Sequence, residues 1–134
     1  MNDPRKFGAI LVAPPLEDLT FVRDLIKYQG PLLSLFEETV SKNQWLWYWC
    51  DCDESANRWA VIRTTPQLVE SYELRSIDLL TLLEATPRHF VFLVDRFAHL
   101  PLAPMSTWWM IQYDHLPIDY RPKRGCYLQE DAGG

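Results

Sequence analysis

Glycine is scarce: the 134-residue chain has five. Loops that cradle phosphate in backbone amides need several glycines at fixed spacing. No P-loop, Gly-x-Gly-x-x-Gly or Gly-x-Ser-x-Gly pattern occurs. Basic charge is short as well, with 13 Lys and Arg against 18 Asp and Glu and a net charge of −5. The densest basic cluster, Arg121-Pro122-Lys123-Arg124, carries three charges. Such a chain lacks the counterion-releasing surface that supplies most nucleic-acid affinity, so no nucleic-acid partner is expected. Cysteines number three, Cys50, Cys52 and Cys126. An odd count argues against a disulfide scaffold and for a reducing compartment. Long apolar runs are missing too. The stretch before Pro14-Pro15 has about six apolar residues, too few for a signal-peptide core or a membrane span. The expectation is a cytoplasmic protein with no membrane contact.

What the chain has is aromatic residues, six each of Trp, Tyr and Phe, and ten prolines. A disordered acidic chain, a coiled coil and a collagen-like repeat are excluded by that composition. A folded chain of this size exposes roughly 7,300 Å² against roughly 23,000 Å² unfolded, so it can bury a core of its own. One domain over residues 1–134 is expected, with residues 1–7 and 129–134 as mobile tails.

Hydrophobic spacing gives the elements. Ala9 to Val12 reads as a short strand stopped by Pro14-Pro15. Asp18 to Tyr28 is open between helix and strand, because Phe21, Val22, Leu25 and Ile26 recur at a helical spacing that Asp18 could cap. Leu32 to Glu37 is a strand and Ser41-Lys42-Asn43 a turn. Gln44 to Cys52 alternates cleanly. Trp45, Trp47, Trp49 and Asp51 fall on one face, and Leu46, Tyr48, Cys50 and Cys52 on the other. Asp53 to Asn57 is a polar hairpin loop, and Arg58 to Arg63 returns antiparallel to the preceding strand. Thr65-Pro66 has the N-cap and first-turn proline of a helix, and Ser76 precedes a second one over Ile77 to Glu84 that Pro87 forbids to continue. Phe90 to Val94 and Thr107 to Tyr113 are further strands. The expected class is α+β: an antiparallel β-meander with two short helices packed on one face and further C-terminal strands.

Tyr28-Gln29-Gly30-Pro31-Leu32-Leu33, then Trp47-Tyr48-Trp49-Cys50-Asp51-Cys52-Asp53-Glu54, then Asn57-Arg58-Trp59-Ala60-Val61 and Ile77-Asp78-Leu79 form an ordered set. In this order they resemble a family of small bacterial proteins of unknown function. There a Gly-Pro turn opens a meander whose second strand ends in Trp-x-Asp-x-Asp. The resemblance spans roughly Leu19 to Leu83, with Gln29 where an Asp is usual and Cys50 where an aliphatic residue is usual. It implies a fold of turns, aromatics and caps, and it brings no catalytic residue.

Chemistry is sparse. Asp51, Asp53 and Glu54 offer oxygen ligands, but a solvated loop with an Asp51–Arg58 pair across the ladder explains them more cheaply. Cys50-x-Cys52 is too tight for zinc spacing. No nucleophile can be matched to one of the three histidines, His89, His99 and His115. No catalytic residue, metal or cofactor is therefore expected. Gly133-Gly134 resembles the end of a ubiquitin-like modifier, yet Glu130-Asp131 supplies acidic charge where basic charge is usual.

The tryptophans carry the remaining signal. Both faces of the Gln44–Cys52 strand are apolar, so two covers are needed. The commoner arrangement puts the tryptophan stripe in a core beneath the helices; an incompletely covered stripe means a partner. Trp108 and Trp109 point to opposite faces of their strand. Trp45, Trp108, Trp109 and Tyr113 are accordingly the candidate partner-binding residues, the partner being another protein or a second copy of the chain. The functional expectation is a non-enzymatic protein-binding or accessory module of a bacterial complex, of a defence or toxin-neutralising kind. Its rival is a small enzyme or ligand-binding domain with a pocket near Asp51, Asp53 and Arg58.

Overall fold

Short runs of alternating apolar residues build one seven-stranded antiparallel sheet. The computed structural model describes residues 1–16, 18–27, 31–85, 90–97 and 106–122. The strands are β1 (Ile10–Val12), β2 (Leu19–Lys27), β3 (Pro31–Glu38), β4 (Gln44–Cys52), β5 (Ala56–Thr64), β6 (Phe90–Phe97) and β7 (Ser106–Gln112). Their spatial order is β1-β7-β6-β5-β4-β3-β2. Strands β2 to β7 thus run as a meander, and β1 adds at the far edge beside β7. The helices are α1 (Pro66–Glu73) and α2 (Leu79–Glu84).

The meander is as expected, but the α+β class is overturned. Among the described residues the only α-helices have eight and six residues. At 1.5 Å per residue they are about 12 and 9 Å long, against a sheet about 29 Å across from one edge strand to the other. They patch one region of the sheet and do not make a layer.

β2 settles the ambiguous segment as a strand, and its irregularity explains the ambiguity. Its pairing with β3 shifts register between Phe21 and Arg23, between Asp24 and Ile26, and between Ile26 and Lys27. A bulge places two consecutive residues on one face, so adjacent Leu25 and Ile26 are both buried. Bulged pairing imitates the i, i+1, i+4 spacing of a helix.

Within residues 1–7, expected as a mobile tail, Pro4–Phe7 is a 3-10 turn whose N-cap Asp3 accepts from the Arg5 amide, and Phe7 packs edge-on against Tyr120. One helix start is corrected. The second helix begins at Leu79, capped by Asp78, whose Oδ1 accepts from the Thr81 amide at 2.8 Å. Ser76 lies outside it; a carboxylate nearer the apolar run outcompetes the earlier hydroxyl. The Tyr28-Gln29-Gly30 turn, Pro87, His89, His99, Cys126, Gly133-Gly134 and the 129–134 tail lie outside the described residues.

For α1 the expected cap holds. Thr65 Oγ1 accepts from the Leu68 amide at 3.3 Å ahead of Pro66 at the first turn. Thr65→Ala is expected to cost about 1 kcal/mol, read as a shift in the urea midpoint, whereas Thr65→Ser should retain most of the stability.

The sheet has two apolar faces. One carries Leu33, Leu35, Leu46, Ala60, Ile62, Leu93, Trp109 and Ile111, packed with Val69, Tyr72, Leu79, Leu82 and Leu83 of the helical segments and with Leu116 and Tyr120. The other carries Trp47, Val61, Val94 and Trp108, with Phe36, Trp45, Trp59 and Phe92 around them and, among the described residues, Val12, Leu16 and Leu19 added from the N-terminal region. The tryptophan stripe therefore lies on the face opposite the helices, not beneath them. No helix among the described residues is long and apolar enough to cross a membrane.

Candidate functional site: the aromatic face of the sheet

Cross-strand registry assembles this face. Ser34 pairs with Trp47 and Phe36 with Trp45, Trp47 with Val61, Val61 with Phe92 and Val94 with Trp108. Alternation then brings Trp59 and Arg96 to the same side. The rings touch in a chain: Phe21–Phe36 at 5.7 Å, Phe36–Trp47 at 5.0 Å, Trp47–Trp59 at 6.4 Å and Trp47–Trp108 at 5.8 Å between centroids. Trp47 is the hub and is 3% exposed.

Two cavities open beside the hub. One, of about 300 Å³, is lined by Leu16, Asp18, Leu19, Phe36, Ser106 and Trp108 together with Trp47 and Arg96. The second, of about 190 Å³, is lined by Phe21, Asp24, Ser34, Phe36 and Trp59, again with Trp47 and Arg96. Phe36, Trp47 and Arg96 form the ridge between them. The Arg96 guanidinium lies 4.8 Å from the Trp47 ring centroid, a cation–π distance. Its Nε and the Trp47 indole N–H are buried and have no hydrogen-bond partner among the described residues. Burial lowers the Arg96 pKa. Ser34 donates to Asp24 Oδ1 at 2.6 Å on the floor of the smaller cavity.

The four residues expected at a partner surface are not brought together. Trp108 belongs to the aromatic face and Trp109 to the other, and each is only 8% exposed. Trp109 is covered by the N-terminal turn, with the Arg5 guanidinium 5.7 Å from its ring, and its indole donates to Asp95 at 3.2 Å. Trp45 is half-buried on the aromatic face, donates to Glu38 at 2.6 Å and lies under Arg63. Tyr113 packs on the helix-bearing side; its hydroxyl donates to Glu84 at 2.7 Å and Arg121 stacks on its ring. Chain residues thus cover both consecutive indoles. The exposed aromatics of the face among the described residues are Phe21, 53% exposed, and Phe90, 49% exposed.

Asp51, Asp53 and Arg58, expected near a pocket, each take part in hydrogen bonds within the chain. Arg58 is 2% exposed, and although it pairs with Asp51 in the ladder its guanidinium turns to Asp95. Nε donates to Oδ1 at 2.6 Å and Nη2 to Oδ2 at 2.8 Å. Nη1 donates to the Asn2 carbonyl and the Tyr120 hydroxyl at 2.9 and 3.0 Å. Tyr120 in turn donates to Asp51 at 2.7 Å. Burial opposes the charge on Arg58, but the bonds to Asp95 and Tyr120 prevail and its pKa is raised. Burial, reinforced by Asp51, pushes the Tyr120 phenol up to about 12. Asp53 is spent on its own loop: amides of Ser55 and Ala56 at 2.9 Å hold its pKa at about 2. That contribution is complete above the ordinary value of 3.8 and disappears as pH falls through about 2. Neither cavity touches these residues.

Among the described residues no group of His, Cys, Asp and Glu could hold a metal ion. Burial raises the Cys50 thiol well above its ordinary value, while Cys52 is exposed. In the folded chain iodoacetamide is expected to modify Cys52 and spare Cys50, since the thiolate is the nucleophile. Peptide mapping checks this; equal labelling of both would mean that β4 opens readily.

Arg96, Phe21, Phe36 and Trp59 were not among the candidates from sequence. The available signal was alternation: Phe92, Val94 and Arg96 sit at i, i+2 and i+4, but the apolar run stops at Val94. Comparison with protein-family models, with curated proteins and with solved structures gives no match.

Proposed function

We propose that this chain is a non-enzymatic binding module, an accessory subunit that engages an extended segment of a protein partner on the aromatic face of its sheet. One observation supports this above the others. The sheet is apolar on both sides, yet the helices cover one, leaving cavities and an exposed Phe21 between aromatic rings on the other. Aromatic clusters with incomplete cover are the usual composition of interaction hot spots. Arg58 is held by Asp95 and Tyr120 rather than free to meet a ligand.

The test compares three baits in a native pull-down: the wild-type chain, Phe21→Glu, and Val40→Glu in the β3–β4 turn, where Val40 is 78% exposed. A partner recovered by wild type and Val40→Glu but lost with Phe21→Glu supports the reading. The same recovery with all three overturns it.

A further inference from the structure

We infer that Arg96 is a carboxylate anchor: the occupant of the aromatic face is a peptide segment that presents an acidic side chain to this guanidinium and apolar side chains to the flanking cavities. The inference rests on the binding role proposed above and names the chemistry of the partner.

Five described arginines of this acidic chain have polar partners. Arg58 forks onto Asp95, Arg23 reaches Glu73 and Arg5 pairs with Asp3. Arg63 donates to Asn43 and Arg121 to two carbonyls. Arg96 differs. Its contact among the described residues is the face of Trp47, and it lines both cavities. A guanidinium partly withdrawn from water, its buried Nε without an acceptor among the described residues, is unfavourable, and its planar fork matches a carboxylate with two parallel bonds. Burial already weakens its hold on its proton; an arriving carboxylate would reverse that.

The surroundings select the rest of the occupant. Phe21, Phe36 and Trp59 wall one cavity, and Leu16, Leu19 and Trp108 the other, so apolar groups belong on both sides of the anchored acid. Asp24 lies in one cavity and Asp18 in the other. They repel a polyanion and accept N–H donors, which a peptide backbone supplies on either side of a side-chain carboxylate. Trp47, Phe36 and Arg96 form the ridge that such a segment would cross.

The experiment titrates the ¹⁵N-labelled chain with acetyl-Phe-Glu-Phe-amide and with acetyl-Phe-Gln-Phe-amide, following the Trp47 indole and Arg96 Nε–H signals. The acidic peptide is expected to bind at least tenfold more tightly than its amide. Arg96→Gln should bind both equally with its backbone spectrum otherwise unchanged, and Arg96→Lys should keep part of the preference. Equal binding of the two peptides by wild type, or an undiminished preference in Arg96→Gln, overturns the inference while leaving the pull-down result standing. Free phenylalanine is the third probe. If it moves these signals in an Arg96-dependent way and the peptides do not, the peptide occupant falls together with the binding role it rests on.

Discussion

Replacing Arg58 by leucine is expected to cost about 3–5 kcal/mol, the usual penalty for breaking a buried ion pair by removing one partner. Much of the effect comes from what remains. Asp95 loses both bonds from the fork and keeps only the Trp109 indole. The Asn2 carbonyl and the Tyr120 hydroxyl each lose a donor as well. Those contacts tie the N-terminal turn and the segment around Tyr120 to β5 and β6, so both should loosen along with the loss of global stability. Domains of this size have about 5–15 kcal/mol in total, and the variant would sit near the edge of folding. Urea melts measure the loss. Arg58→Leu combined with Asp95→Leu should recover part of it, because the double variant leaves no buried charge. A single-variant loss below about 1 kcal/mol would show that solvent reaches the pair and that the network is not a staple.

The same cluster shows which parts of the fold sequence could reveal. Opposition of Asp51 and Arg58 follows from a hairpin of known turn and alternation, and the ladder has it. The salt bridge does not follow, because Asp95 lies 37 residues away and local spacing contains no information about that distance. Asp95 and Arg96 interrupt an apolar run, so β6 reads as ending at Val94 when it extends to Phe97. Each charge is tolerated for a tertiary reason: Asp95 faces Arg58 on one side of the sheet, and Arg96 faces Trp47 on the other.

Trp108 and Trp109 show the same limit from another direction. Their opposition across the strand is legible from a period of two. What covers them is not. Trp109 lies under the N-terminal turn and against Asp95, while Val12 of β1 pairs beside Trp108 and Leu16 packs on the same cluster. The N-terminal segment is one of two covers that the sequence allows for the second face, and only docking shows which indole each part of it meets. The same docking moves the candidate surface from the two indoles to Phe21, Phe36, Trp47, Trp59 and Arg96.

Trp47→Ala is expected to destabilise the chain by about 3–5 kcal/mol, the range for deleting a large buried aromatic. An indole buries about 150–250 Å², which at about 25 cal/mol per Å² gives roughly 4–6 kcal/mol. Trp47 meets Phe36, Trp59 and Trp108 directly. Its loss would merge the two flanking cavities into one void that these rings cannot collapse to fill, and Arg96 would lose the ring it lies against. Trp47→Phe separates packing from polarity. It keeps an aromatic face beneath Arg96 and removes an indole N–H that has no partner among the described residues, so the buried-donor penalty of about 1–3 kcal/mol partly offsets the lost volume. The phenylalanine variant should therefore stay within about 1.5 kcal/mol of wild type, as conservative core changes do. Urea melts of the three proteins decide between these outcomes. Near-equal stability of Trp47→Ala and wild type would mean that the hub is not a hub, and that the aromatic face is held together from its rim.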